Sequence, residues 1–184
     1  MITVTTVDDI VDLYGARGRL RYGEGVTQVE HAVQCAVLAE ASGASDALIV
    51  AALLHDVGHL VVHPDETADF SIDDHHELVG AEALADMFGA AVSRPVALHV
   101  PAKRYLCAVD RDYFPALSRA SQMSLDVQGG AFEPAEAEAF ERLSYWREAV
   151  ALRRFDDGGK SDEAATRHFA DFIPMMRRLA SQRC

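Results

Sequence analysis

The sequence predicts an all-α fold, a single-domain helical bundle over residues 1–184. Three observations predict it. Apolar residues recur at helical spacing through most of the chain, and the two-residue alternation of strands is nearly absent. Cap residues and glycines stand where helices should begin and end. With 184 residues and 49% hydrophobic content, one core can form without disulfides or a structural metal.

Residues 5–14 are predicted as a short first helix that ends before Gly15, and the glycine-rich stretch from Gly15 to Gly25 as a loop. Thr27 and Glu30 have capping-box spacing, opening a helix that runs to about Ala41 and stops at Gly43. His31 falls in its first turns. Asp46 is a candidate cap for the next helix, which is apolar nearly all round from Ala47 to Leu54 and therefore buried on most sides. His55 and Asp56 lie at its end, with Gly58 closing it. Residues 62–72 are mostly polar and irregular, suited to a lid loop. A helix from about 74 to 88 ends at Gly89. Another starts near Ser93 and carries His99 and Lys103. Pro101, lacking an N–H, should kink or restart it. Ser118 to Gly130 reads as a polar turn region. Pro134 suits the first turn of a further helix, followed by helices over 144–155 and about 162–181.

The net charge of −12 argues against nucleic acid as a partner, since phosphate backbones attract basic surfaces. A small anionic substrate stays compatible, because a metal pair can reverse the local field. Cys35, Cys107 and Cys184 show no metal-ligand spacing, and Cys35 and Cys107 read as buried free thiols. No signal peptide and no membrane-spanning run is visible, so a cytoplasmic protein with no membrane partner is expected. Nothing in the sequence specifies an oligomeric state.

Chemistry concentrates at His55-Asp56, at the end of the most apolar helix. Burying an adjacent imidazole and carboxylate is costly without a compensating partner, and both are good ligands for a divalent metal. A bridging carboxylate can serve two metals, a pair that needs roughly four histidines and one or two further carboxylates. His31, His55, Asp56, His76, His99 and Asp156 supply that set from separate helices. His63 and His168 read as ordinary surface or core histidines. His76 is preferred to His75 because Gly80-Ala81 after it gives a small face for close packing.

Four separated segments also carry a family resemblance. They are Glu24 to Ala36, Ala52 to His59, His99 to Leu106 and Arg153 to Asp157. His31, His55-Asp56 and Asp156 resemble the metal-binding pattern of the HD-domain superfamily, whose members are helical bundles. The four segments together resemble its mixed-valence di-iron oxygenases that cleave 1-hydroxyphosphonates, such as 2-amino-1-hydroxyethylphosphonate oxygenase.

The resemblance implies two iron ions, Fe(II) and Fe(III), with O2 as co-substrate. It implies cleavage of the C–P bond of a small amino- or trimethylammonio-substituted 1-hydroxyethylphosphonate, releasing inorganic phosphate and a carboxylic acid. His31, His55, Asp56 and Asp156 would hold one iron, and Asp56, His76 and His99 the other, with Asp157 as the alternative to Asp156. His59 and Lys103 would act on the substrate and bind its phosphonate. Each stands four residues after a ligand, His55 and His99, which helical spacing brings near it. Ser121, Ser124 and Gln128 would form a phosphonate cradle. Glu24 would meet the substrate's amino group. Tyr22 would gate an iron, although it stands two residues before Glu24 where the family pattern has three. A quaternary ammonium would favour aromatic walls, for which Tyr22, Phe70, Tyr105 and Tyr113 are candidates. The alternative function is a metal-dependent phosphohydrolase acting on a nucleotide or small phosphate ester, in which a metal-activated water suffices.

Overall fold

A computed structural model describes residues 2–20, 25–62, 74–161 and 166–182. Among the described residues the regular elements are helices: α1 (Val7–Arg17), α2 (Gln28–Ala41), α3 (Asp46–Leu54), α4 (Val57–Val62), α5 (His76–Phe88), α6 (Ala90–Val109), α7 (Tyr113–Ala116), α8 (Arg119–Val127), α9 (Pro134–Phe140), α10 (Trp146–Gly158) and α11 (Ile173–Ser181). A short 3-10 turn, Phe169–Phe172, precedes α11. The all-α class is as the sequence predicts. No helix is long and apolar enough to cross a membrane, among the described residues.

The bundle is organised around α3, in which every residue from Leu48 to Leu54 is buried. An apolar helix without a polar face must be covered by others, and α2, α6, α10 and α11 pack against it. α5 lies between α4 and α6, and α10 joins α6 to α2. A second apolar cluster, including Leu106, Tyr113 and Phe140, holds α7 and α9 against the far end of α6.

The Thr27–Glu30 capping box forms as predicted: Glu30 N–H donates to Thr27 Oγ1, and Thr27 N–H donates to Glu30 Oε2. Other boundaries differ. α1 passes through Gly15 to Arg17, because a second capping box at Thr6 and Asp9 starts it later and Gly15 lies in open space. Ser45 rather than Asp46 caps α3, its hydroxyl accepting from Leu48 N–H.

Gly58 does not close α3. That helix ends at Leu54, α4 begins at Val57, and Gly58 sits inside α4. A Cβ there would lie 2.0 Å from His76 O, so this glycine permits backbone contact between α4 and α5. α6 begins at Ala90 and continues through both Pro95 and Pro101. Its packing against α5 and α10 offsets the lost hydrogen bonds. Arg119–Val127 is a helix capped by Ser118, not a polar turn. The last predicted helix is divided: α11 starts only at Ile173, with Pro174 in its first turn.

A candidate metal centre beside a cationic cradle

α3 stops at Leu54, and the next two residues turn their side chains into the bundle before α4 begins. His55 is 1% exposed and Asp56 3%. α2 delivers His31, the first residue of α5 is His76, α6 delivers His99 and the last turns of α10 deliver Asp156. All six sequence-predicted metal residues are buried and meet at one place.

Asp56 lies at the centre. Its Oδ1 is 3.4 Å from His55 Nε2, 3.6 Å from His76 Nε2 and 3.7 Å from His99 Nε2. Its Oδ2 is 3.6 Å from His31 Nε2. Asp156 Oδ1 stands 3.4 Å from His31 Nε2 and 3.9 Å from His55 Nε2.

The outer nitrogen of each ring is engaged. His31 Nδ1 donates to Gly159 O at 2.7 Å, His55 Nδ1 to Ala52 O at 2.9 Å and His99 Nδ1 to Val96 O at 2.7 Å. His76 Nδ1 donates to Asp74 Oδ1 at 2.9 Å. A carbonyl or an ionised carboxylate only accepts, so these contacts put a hydrogen on Nδ1, and a neutral ring then keeps its lone pair on Nε2. Those Nε2 atoms then face each other in pairs, His31 with His55 at 3.3 Å and His76 with His99 at 3.3 Å. Facing lone pairs repel unless a proton or a metal cation lies between them. Asp56 Oδ1 and Oδ2 and Asp156 Oδ1 are buried with no hydrogen-bond partner. Orphaned acceptors beside convergent lone pairs are the chemistry of a metal site, and the imidazole and carboxylate set fits iron, manganese or zinc.

The electrostatics divide the set: burial would lower His31 and His76, but Cys35 and Asp156 outweigh it at His31, and Asp74 and Asp56 at His76, raising both. Burial alone would raise Asp56, but His55, His59, His76 and His31 outweigh it and hold the carboxyl well below its ordinary range. For Asp156 burial is outweighed by Arg153 and then Lys160. Burial, followed by His55 and His76, pushes His99 well below its usual value and keeps its ring neutral for ligation.

Asp157 does not join the cluster. It accepts from Tyr113 Oη and from Arg153, while Arg153 Nη1 pairs with Asp156 Oδ2 at 2.7 Å. Arg153, 4% exposed, therefore holds the two adjacent acids apart. Sequence reading gave it no role. Cys35 is a buried thiol, as its apolar setting predicts, and its Sγ lies 3.7 Å from the ring nitrogens of His31.

Lys103 is 2% exposed, which excludes a solvated surface lysine. Its Nζ donates to Ser124 Oγ at 2.7 Å and lies 3.5 Å from Ser121 O. Burial, and then the neighbouring Arg153, pushes its pKa down to about 7. Ser121 Oγ receives Lys160 Nζ at 3.0 Å and Arg153 Nη2 at 3.3 Å. Lys160 Nζ is also 3.6 Å from Asp156 Oδ1, so it links the serines to the metal cluster. Gln128 ends α8, and its Oε1 is buried without a hydrogen-bond partner. Lys103, Ser121 and Ser124 thus come together as a cationic cradle. Arg153 and Lys160 join it without having been singled out, because their partners are remote in sequence.

His59 stacks on His76 with ring centres 3.8 Å apart, and its Nδ1 donates to Asp74 Oδ2 at 2.8 Å. Tyr22, Glu24, Phe70, His63 and the segment 63–73, which holds all but the first residue of the predicted lid, lie outside the described residues. Tyr105 donates to Glu141 and packs on Phe140 and Trp146, and the Tyr113 hydroxyl is bound to Arg153 and Asp157. Both belong to the second apolar cluster.

The sequence profile of the HD domain matches residues 29–124. Hydroxymethylphosphonate dioxygenase of Gimesia maris is 49% identical over 156 residues, covering 84% of this chain and 78% of that one. The glycine-betaine-forming [1-hydroxy-2-(trimethylamino)ethyl]phosphonate dioxygenase of Leisingera caerulea is 39% identical over 181 residues, covering 96% and 91%. An uncharacterized protein of Acanthamoeba polyphaga mimivirus is 34% identical over 161 residues, covering 85% and 74%.

Proposed function

The chain belongs to the HD-domain family, and from that premise we propose that it is a di-iron oxygenase that cleaves the C–P bond of a small 1-hydroxyphosphonate with O2. The substrate read from the sequence is an amino- or trimethylammonio-substituted 1-hydroxyethylphosphonate, the products inorganic phosphate and a carboxylic acid, and the setting the cytoplasm. One observation carries the reading: six buried donors with lone pairs turned inward adjoin a cradle of ammonium, guanidinium and hydroxyl groups. The two relatives named as phosphonate dioxygenases support it.

The reaction balances without an external reductant. R–CH(OH)–PO3 plus O2 gives R–COOH and phosphate, and both oxygen atoms appear in the products. His31, His55, Asp56 and Asp156 would hold one metal, and Asp56, His76 and His99 the other. When bound, the metals supply the Lewis acidity and the redox chemistry with O2. The protein's own groups bind and orient. Lys103 and Ser124 receive the phosphonate, with Ser121 and Gln128 lining the same cradle and Lys160 between it and Asp156. His59 presents its ring edge to the substrate, and Glu24 meets a cationic C2 substituent.

The Gimesia maris relative favours a second reading within the class, the unsubstituted hydroxymethylphosphonate. One experiment tests both. Protein loaded with Fe(II) is given air and, in turn, hydroxymethylphosphonate, 2-amino-1-hydroxyethylphosphonate and its trimethylammonio analogue. The expected result is phosphate release with one O2 consumed per phosphate. Release from none of the three, or undiminished release without O2, rejects the oxygenase reading.

A further inference from the structure

One carboxylate spans the two stacked histidines. Asp74 Oδ2 accepts from His59 Nδ1 at 2.8 Å, and its Oδ1 accepts from His76 Nδ1 at 2.9 Å and from His76 N–H at 3.2 Å. The rings lie nearly parallel, 20° apart. Atoms of Asp56, His59 and His76 that can bind a cation lie within 4.8 Å of one another, so both rings reach the same space.

We infer that Asp74 is a positioning residue that fixes the tautomer and orientation of His59 and His76 together, coupling the substrate face of the site to its second metal position. The inference rests on the metal-dependent reading above. An ionised carboxylate has no hydrogen to donate, so each ring must offer it an Nδ1–H, and the neutral ring that ligates a metal then has its lone pair on Nε2. His76 then presents a ligand nitrogen, and His59 presents an acceptor beside it. The other three metal-side rings meet main-chain carbonyls: Ala52 and Val96 within helices, and Gly159 just past the end of α10. His59 and His76 instead meet a side chain at Nδ1.

The bland role is a cap for α5, since Asp74 accepts from the His76 amide. Asp74→Asn separates the two. Asparagine caps as well as aspartate, but it has one acceptor oxygen and turns an NH2 group towards one ring. That ring must move its hydrogen to Nε2. Asp74→Ser keeps a capping oxygen and reaches neither ring fully.

The test is a calorimetric Zn2+ titration of wild type and both variants, with ring-nitrogen NMR of the Zn2+-loaded proteins and a thermal melt of each. Wild type is expected to bind two Zn2+ and to show Nδ1–H at both His59 and His76. Asp74→Asn is expected to keep its melting temperature, to weaken one Zn2+ about 10–100-fold while sparing the other, and to show one ring with Nε2–H. Asp74→Ser is expected to weaken the same Zn2+. Unchanged affinities with both rings still Nδ1–H overturn the inference. So does equal loss of both ions with a lowered melting temperature, which marks a structural cap. Fewer than two Zn2+ bound by wild type overturns the two-metal reading itself, and this inference with it.

Discussion

Gly58 and His76 touch through their backbones: a Cβ at 58 would fall 2.0 Å from His76 O and 2.7 Å from its carbonyl carbon. The sequence places Gly58 three residues after His55, where it looks like a helix stop. In the fold it lets α4 close on the residue that starts α5, and so sets the depth of His76. Gly58→Ala should therefore lower stability by about 3 kcal/mol. At the few degrees per kcal/mol expected for a chain of this size, the melting temperature should fall by about 6–12 °C. The variant should also bind the second metal less tightly than the first, as read by metal analysis after dialysis.

Metal should stabilise the chain. At a hundredfold excess over the dissociation constant, binding to the folded state adds about 2.7 kcal/mol. Differential scanning calorimetry of stripped and loaded protein should show a rise of about 5–10 °C. Asp56→Asn should abolish binding of both ions, since Asp56 alone reaches all four imidazoles. Asp156→Asn should cost only the ion beside His31 and His55.

Asp157→Asn should behave differently from Asp156→Asn. Because Asp157 binds Arg153 and Tyr113 rather than the cluster, the variant should keep its full metal content. Loosening Arg153 should still lower kcat/KM about tenfold, a loss of roughly 1.4 kcal/mol of transition-state stabilisation. Loss of an ion from Asp157→Asn would reverse the assignment of the two acids.

The Lys103 pKa, pushed down to about 7, sets a pH dependence for anion binding. Sulfate keeps its charge near neutrality, so its inhibition constant reports the lysine. Inhibition should weaken by up to about tenfold per pH unit above 7, the limit for loss of one required proton. It should stay flat in Lys103→Arg, whose charge persists.

The same shift has a stability consequence with a definite sign. The folded pKa lies below the unfolded one, so the unfolded chain binds more protons between about pH 7 and 10.5. Stability contributed at this site therefore rises with pH across that window, and the penalty for the buried ammonium is largest below it. Lys103→Met should accordingly raise the melting temperature more at pH 6 than at pH 9.

The sequence showed what is local or strongly periodic. The Thr27–Glu30 box needs only two residues at fixed spacing, and the apolar face of α3 needs only its composition. His55-Asp56 was visible because a polar pair at the end of a buried helix has no ordinary explanation. What stayed hidden depends on distant partners. Gly58 and a stop glycine look alike until α5 is in place, and Pro101 signals a break that flanking helices prevent. Asp74, Arg153 and Lys160 gain their meaning from His59, Asp156 and Ser121, none of which periodicity can pair with them. The short polar residues of Ser118 to Gly130 suggest a turn, whereas Ser118 supplies a cap and Leu125 a buried contact that make Arg119–Val127 a helix.

The unbroken course of α6 fixes a length scale for chemistry. His99 and Lys103 are one turn apart on a single rod, and four residues of α-helix rise about 6 Å. On the proposed reading, a ligand reaching from a metal held by His99 to the ammonium of Lys103 would have to match that interval. A hydroxyl and a phosphonate on one carbon do so compactly, whereas moving the hydroxyl one carbon further shifts the reacting C–H bond out of register. On that reading, the helix that ignores its prolines would thus serve as a ruler for where a substrate's hydroxyl stands.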